Sequence, residues 1–578
     1  MVHRTKGLIA IIGLIWIVLR VNSFAADPLP KVLVVRPPDW SSSLAEWIEY
    51  RSSEFEIVEI DSIPDPLRLR NRIIEIAKQT NAPVEAIMLC GDVFEDLPAT
   101  GSRAEPLPPR RTLTPSFQLK TTIQLGPVFT PNLSTDVLFG DIDDDGCPEI
   151  SVGRIPVQTG SELKRVLARS IAYETSTNFG AWRDDVHVTA GVGGFGFLAD
   201  AAIEAVARRY LAEGLPDRFR VRMTYASLTS PYCPDPFQMK STYIKRLNEG
   251  GLFWVYIGHG WIDRLDHFEY GDIQECICAP EDVPQFDMPH GPPIAILLAC
   301  YTGAIDATVA CFGKQLMTQP NGPIAVIAGS RVTMPYGLSQ LAGEMIEEAF
   351  LRRDDEASDA YARTLGRILV NAKRNVWQDD LPSEVPIGDA AMERQNSKLK
   401  SKYKTSVEQM ARVLSPPDHS LLAERREHTR LMNLLGDPLL KIRMPGEIPI
   451  MGPVEIQAGE ILPVRAVFQR SGRIQIELRL HRDQLPANLV SHGRYEGLPE
   501  QRALMQKNYE LANNLVLWRH ELDVTPGSTE LNIPVPTETK GKQIVWIRME
   551  RPDGWSIGTH RFLVKRSRST STKQSKTD

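Results

Sequence analysis

The chain has 578 residues, of which 42% are hydrophobic and 24% charged, with a net charge of −6 at pH 7. That length is too great for one hydrophobic core and predicts two to four domains. The composition is that of a globular protein, and the scattered basic residues exclude a nucleic-acid footprint.

At the N-terminus, His3, Arg4 and Lys6 precede the apolar run GLIAIIGLIWIVL from Gly7 to Leu19, and the small residues of NSFAAD follow. A run of this length suits a signal-peptide core better than a membrane span. The expectation is a signal peptide over 1–26, cleaved near Ala25 or Ala26, export to the cell envelope or beyond, and no membrane span in the mature chain. An uncleaved anchor is the competing reading, because Arg20 is unusual before a cleavage site. Export would expose Cys90, Cys147, Cys233, Cys276, Cys278, Cys300 and Cys311 to oxidising conditions, where an odd count leaves one thiol unpaired within the chain. Cys276-Ile-Cys278 could pair with Cys233 or another cysteine, but its CxC spacing does not suit zinc.

Residues 27–180 open with strand-like KVLVV, FEIVEI and VEAIMLCG, separated by helical patterns around Leu44–Tyr50 and Leu67–Lys78. This alternation predicts a small α/β unit with a parallel sheet. Ser102 to Pro115 reads as a loop. In the following DIDDDG, Asp141, Asp143 and Asp145 offer oxygen ligands at alternate positions before Gly146, a pattern suited to a structural Ca²⁺. Position twelve of a loop counted from Asp141 is Val152, so this is no EF-hand, and Glu149 could supply a late ligand. A solvated acidic loop fits the same residues.

Over 181–447 a longer alternation follows. Strand patterns DVHVTAGV, FRVRMTYAS, GLFWVYIG, PIAILLAC and PIAVIAGS are interleaved with helices expected over Asp200–Glu213, Asp235–Glu249, Cys311–Met317 and Leu338–Leu351. Residues 352–432 are charge-rich and mostly helical in pattern. GVGGFG, from Gly191 to Gly196, matches a dinucleotide fingerprint, but the next strand ends TYAS without the acidic residue that fingerprint needs. Those glycines read better as a loop beside the sheet edge. Residues 448–566 change to strand patterns: RIQIELRL places Ile474, Ile476, Leu478 and Leu480 on one face, predicting a β-sandwich with an irregular or helical insertion around Leu498–Asn513. Residues 567–578 read as a disordered basic tail.

Ligands bind open α/β sheets at the carboxyl ends of the strands, and two chemically capable residues sit at such ends. His259 follows GLFWVYIG and Cys300 closes AILLAC. A thiolate is the reactive nucleophile, and an adjacent imidazole can lower its pKa or act as base and then acid. Gly258 and Gly260, flanking His259, read either as a source of backbone freedom in a turn or, at Gly260, as a position where a bare N–H reaches a substrate carbonyl oxygen. With the Cys300 N–H it would form an oxyanion hole. His259, Asp263 and His267 fall at helical spacing, but Gly260 argues against a metal-binding helix.

These residues resemble a known family. NEGGLFWVYIGHG, AILLACYTGAIDATVACFGKQLM and GPIAVIAGS are similar to the catalytic domain of gingipain-type cysteine peptidases, with a strand ending His-Gly, a later strand ending Ala-Cys and a second cysteine eleven residues on. GDIDDDGCPEISVGRIPVQTGSEL and LMNLLGDPLLKIRMP extend the resemblance to about Asp136–Pro445. It implies a caspase-like, mostly parallel sheet flanked by helices, with the smaller N-terminal α/β unit before it and an immunoglobulin-like β-sandwich after it. It makes Cys300 the nucleophile, His259 the general acid/base, and the Gly260 and Cys300 amides the oxyanion hole. Asp200, after a three-residue gap, matches the acidic residue of the S1 pocket, while the tryptophan of the other wall falls at Pro335, beside Tyr336. Where basic-specific members carry a glutamate that assists the histidine, in Ala-Glu-Gly-Gly, this chain has Gly191-Val192-Gly193-Gly194. The resemblance therefore implies an exported endopeptidase acting on proteins or peptides, with no cofactor in the chemistry. The alternative is a catalytically degenerate relative used in adhesion or assembly, which Val192 favours.

Overall fold

The computed structural model describes residues 28–79, 82–93, 112–123, 130–193, 214–270, 273–351, 363–378, 408–409, 411–413, 415 and 419–566. The expected signal peptide over 1–26, the helix expected over 200–213, Asp200 and the tail from 567 lie outside the described residues.

Ten strands form one sheet: β1 (Lys31–Arg36), β2 (Glu56–Asp61), β3 (Val84–Cys90), β4 (Ser151–Ile155), β5 (Asp185–Ala190), β6 (Arg220–Tyr225), β7 (Phe253–Ile257), β8 (Ile294–Leu298), β9 (Ala325–Gly329) and β10 (Met432–Leu435). Their order is β2-β1-β3-β4-β10-β9-β8-β7-β5-β6. The central strands read as continuous apolar runs because helices and loops bury both faces. In β7 Trp254 and Tyr256 enter one core while Phe253 enters the other; in β1 Val32 and Val34 alternate with Leu33 and Val35 in the same way.

The sheet is parallel in two blocks. β2, β1, β3, β4 and β10 run one way, and β9, β8, β7, β5 and β6 run together. The seam is antiparallel: Gly329 of β9 faces Met432 of β10. β10 thus follows the whole alternating series in sequence yet stands between β4 and β9. It issues directly from the helix Leu421–Leu431, whose C-cap is Met432. Asn433, buried in this short strand, accepts the Asp136 N–H and donates to Ser134 O, fastening β10 to the chain that leads into β4.

The C-terminal strands form a six-stranded and a three-stranded sheet. Both contribute to one core: Leu462, Val464 and Ile533 from the smaller, Ile474, Ile476, Leu478 and Val545 from the larger. The period of two in RIQIELRL therefore sends its apolar face inward. The opposite face is also buried, because it docks on the main sheet body: Trp546, Trp555 and Ile557 cluster with Phe179, and Asp184 accepts from Arg548 Nε at 2.7 Å and Trp555 Nε1 at 2.7 Å. The helix Pro499–Ala512 lies along the edge strand β6. Its following residue, Asn513, accepts from Met223 N at 2.7 Å and donates to Met223 O at 2.9 Å, filling a place a further strand would take. Arg502 makes two 2.9 Å contacts with Asp235.

All seven cysteines are free thiols, so neither Cys276 nor Cys278 pairs with Cys233 or with another cysteine. Cys276 Sγ instead lies 3.4 Å from His267 Nδ1. Among the described residues no helix is long and apolar enough to cross a membrane.

Candidate active site

β7 and β8 are parallel neighbours in a register that pairs Ile257 with Leu298. His259 and Cys300 each lie two residues past that pair, so the register carries both to one level on one edge. The glycines around His259 provide room. A Cβ on Gly258 would stand 2.8 Å from Tyr256 Oη and 3.1 Å from Gly191 Cα, and one on Gly260 would stand 2.7 Å from Cys300 O and 2.9 Å from Ala299 Cβ. Neither glycine has a positive φ, so the freedom expected of a turn is not what they supply. Gly258 lets the strand end lie on the Gly191 loop, and Gly260 lets it lie on the cysteine loop. Beyond Gly260 the chain folds back in a bridge to Leu265, held by Trp261 N donating to Arg264 O at 2.9 Å. Tyr256 Oη donates to His259 O at 2.9 Å.

The cysteine loop turns sharply. Tyr301 has φ of +57°, in the left-handed region that a non-glycine residue occupies only when its surroundings impose it. Tyr301 N donates to Arg331 O at 3.0 Å, and Tyr301 Oη lies 3.1 Å from Thr130 Oγ1. The loop after β9 closes over the thiol: Thr333 N points at Cys300 Sγ at 3.3 Å, with Thr333 Oγ1 at 3.5 Å. A buried ion pair supports it from below. Arg331 Nη1 and Nη2 contact the two Asp306 oxygens at 3.0 and 2.6 Å, while Arg331 Nε donates to Asn132 O at 2.5 Å. His428 fixes the far end of the same loop. Its Nε2 accepts Met334 N at 2.7 Å while Nδ1 donates to Glu424 O, and burial holds its pKa below the usual histidine value, favouring the neutral ring.

Cys300 is the one half-buried cysteine; the other six are buried. Burial pushes the thiols of Cys147, Cys233 and Cys311 up to about 12, and raises those of Cys90 and Cys278 well above the ordinary thiol value. Nucleophilic chemistry needs a thiolate, so these surroundings disfavour those five as nucleophiles. Cys311 caps the helix Phe312–Thr318, whose Phe312 N donates to Ile262 O in the histidine loop at 2.6 Å.

The remaining sequence candidates are placed as follows. Tyr336 is buried at the start of the helix Pro335–Ile346, packed with Leu421 and Ala411. Carboxylate oxygens of Asp141, Asp143 and Glu149 lie within 4.8 Å of one another. Asp145 stands outside that group and accepts Cys147 N at 2.7 Å. Burial raises the pKa of Asp141 and Glu149 above the ordinary carboxylate value, the response of acids crowded together away from water. His259, Asp263 and His267 form no metal-holding group among the described residues.

Three supports of the site were not read from sequence: Thr333, the Arg331–Asp306 pair, and Asp266, whose carboxylate reaches the Gly191–Val192 loop. Thr333 and Arg331 lie just past an apolar strand, like His259 and Cys300, and that position was the available signal. Asp266 follows no strand and carries no motif.

The sequence matches the model of peptidase family C25 over residues 25–443. The chain belongs to peptidase family C25, the gingipain family. Two solved structures are similar at low identity. A complex of the pro- and mature domains of Porphyromonas gingivalis RgpB is 14% identical, with 93% of this chain and 100% of that chain covered and a TM-score of 0.47. The Arg-specific cysteine proteinase gingipain R is also 14% identical, with 93% and 98% covered and a TM-score of 0.48. No curated protein matches the chain. The C25 match spans the whole ten-stranded sheet and stops before the C-terminal strands.

Proposed function

We propose that this C25 protein is an exported cysteine endopeptidase that hydrolyses peptide bonds through Cys300 and His259. The observation that carries the reading is the β7–β8 register, with Gly260 lying against Cys300. The Cys300 thiolate attacks the peptide carbonyl carbon, and the Gly260 and Cys300 N–H groups receive the oxyanion. His259 protonates the leaving amine as the C–N bond breaks, leaving a thioester. It then takes a proton from water, whose oxygen displaces the thiol and releases the carboxylic acid. Asp200 and Tyr336 are proposed to shape the substrate pocket, Tyr336 from beneath. The domain reading is a signal peptide over 1–26, an N-terminal subdomain over 27–180, a caspase-like domain over 181–447, an immunoglobulin-like sandwich over 448–566 and a tail.

Cys300→Ala and His259→Ala should each abolish cleavage of fluorescein-labelled casein while leaving thermal unfolding unchanged; turnover surviving in either folded variant refutes the dyad. The rival, a degenerate adhesion protein, draws on Val192 in the place of an acid. A thiol-reactive peptidyl probe separates the two: fast labelling of Cys300 that His259→Ala slows supports the peptidase, and slow, His259-independent alkylation supports the rival.

The Asp141, Asp143 and Glu149 oxygens fit a hard cation in donor type, and we propose a structural Ca²⁺ there. Chelation should then lower the melting temperature, with Ca²⁺ restoring it; an unchanged melt counts against the site.

A further inference from the structure

We propose that Asp266 is the positioning acid of His259, supplying the carboxylate that Val192 lacks; this rests on the reading of His259 as general acid/base.

The Asp266 carboxylate is buried, with 4% of the residue exposed, and its oxygens are spent on the loops that frame His259. Oδ2 accepts Val192 N at 2.9 Å and Oδ1 accepts His267 N at 2.9 Å. The imidazole is close enough that its positive form stabilises the Asp266 anion. Among the described residues no lysine or arginine forms a salt bridge with Asp266. The charge that acts on it is that of His259, the histidine that the chemistry cycles between neutral and protonated forms. Burial raises the Asp266 pKa above the usual carboxylate value, and the Val192 and His267 N–H donors and the imidazole act against that rise.

The geometry around the carboxylate is specific to an acid in this place. A Cβ on Gly191 would stand 2.4 Å from Asp266 Oδ2, so the Gly191–Val192 turn leaves room for the carboxylate only as glycine. Gly191 N donates to Ile257 O at 2.8 Å, which fastens that turn to the end of β7. Tyr256 Oη completes the frame, donating to His259 O at 2.9 Å and accepting from Asp266 N at 3.2 Å. One hydroxyl thus spans the backbones of the acid and the base. Val192 contributes its backbone N–H, and the missing acid arrives from seven residues beyond the histidine instead.

Among the described residues, the titratable groups that act on Asp266 or lie beside it in the chain are His259, His267, Tyr256 and Tyr270. Burial pushes both tyrosines far above their ordinary range, so they stay neutral while the enzyme works. The two histidines are left, and His267→Gln removes the second from any titration.

The test is a ring titration by NMR in the folded Cys300→Ala protein, with His267→Gln as the assignment control, and casein cleavage in the protein that keeps Cys300. Asp266→Asn keeps the size of the side chain and removes its charge. It should lower the His259 titration midpoint, move the alkaline limb of kcat/KM to lower pH, and reduce kcat at least about tenfold with KM little changed. A purely structural aspartate would change the melting temperature without moving either pH readout. Should Asp266→Asn fail to fold, Gly191→Ala displaces the carboxylate without removing it, at a glycine whose φ is not positive; the same midpoint shift and loss of kcat are expected. Wild-type midpoint, limb and kcat in the folded variants overturn the proposal. Casein cleavage that survives Cys300→Ala or His259→Ala overturns the dyad itself, a result distinct from an inert Asp266→Asn in an enzyme that needs both.

Discussion

Gly260→Ala isolates the close approach on which the proposed dyad depends. The added methyl would meet Cys300 O at 2.7 Å, Thr302 Cγ2 at 2.8 Å and Ala299 Cβ at 2.9 Å. The tightest of these contacts is roughly 0.7 Å inside ordinary van der Waals distance. Two of the three atoms cannot swing away, since one is backbone and one is a Cβ, so the strand ends must part. Because Gly260 has no positive φ, the substitution carries no penalty from backbone conformation, and steric crowding alone sets its cost. Overpacking of this kind costs about 1–3 kcal/mol of stability. Displacing a catalytic pair by a fraction of an ångström to an ångström costs up to about 10²-fold in rate. The assay pairs urea unfolding with kcat/KM on labelled casein and uses Gly554→Ala as control, since a Cβ there meets nothing within 4 Å. Activity within threefold of wild type, roughly 0.7 kcal/mol in barrier height, together with unchanged unfolding would refute the proposed apposition of the histidine and cysteine loops.

Arg331→Met should destabilise the fold by about 3–5 kcal/mol, because it leaves Asp306 as a buried charge without its partner; urea unfolding reads this, and a loss below about 1 kcal/mol would show the pair to be solvated. Lys373, buried and donating to Met432 O at 2.6 Å, has its pKa lowered to about 7 by burial. The unfolded chain then holds a proton that the folded chain lacks between pH 7 and the ordinary lysine value of 10.5, so this group makes stability rise with pH across that window, by roughly 1.4 kcal/mol per unit. Lys373→Met should remove that rise, and its stability relative to wild type should fall as pH increases from 7 to 10. Parallel curves would place the ammonium in contact with water.

Legibility in the sequence followed burial and period. β1, β3, β7, β8 and β9 announce themselves as apolar runs, and because His259 and Cys300 end two such runs, the candidate dyad was readable without a structure. β10 was not: MNLL is four residues, follows a helix with no glycine or proline between, and takes its place from pairing across the seam. Glu477 and Arg479 sit at positions where alternation predicts solvent, yet both are buried, since that face of the six-stranded sheet packs on the ten-stranded one. Alternation reports which residues can share a face and is silent about what later covers it. The same limit hid Asp266, an aspartate without a motif whose role depends on a glycine turn 74 residues earlier in the chain. Tyr336 stands beside the position that the family resemblance assigns to a pocket wall, and the structure packs it beneath the surface.

The position of β10 has a consequence for how this protein is made and cut. The strand that joins the two halves of the sheet is the last of its ten to leave the ribosome, so until residue 435 has emerged neither block can meet its partner, and the histidine and cysteine loops form beside an unfinished sheet edge. A chain exported as it is synthesised would cross the membrane before its central pairing could form. A protease that later cut the finished protein between β9 and β10 would leave both pieces interleaved through strand pairing and the buried Asn433 contacts. Denaturing gels would then report fragments while the native particle kept its mass.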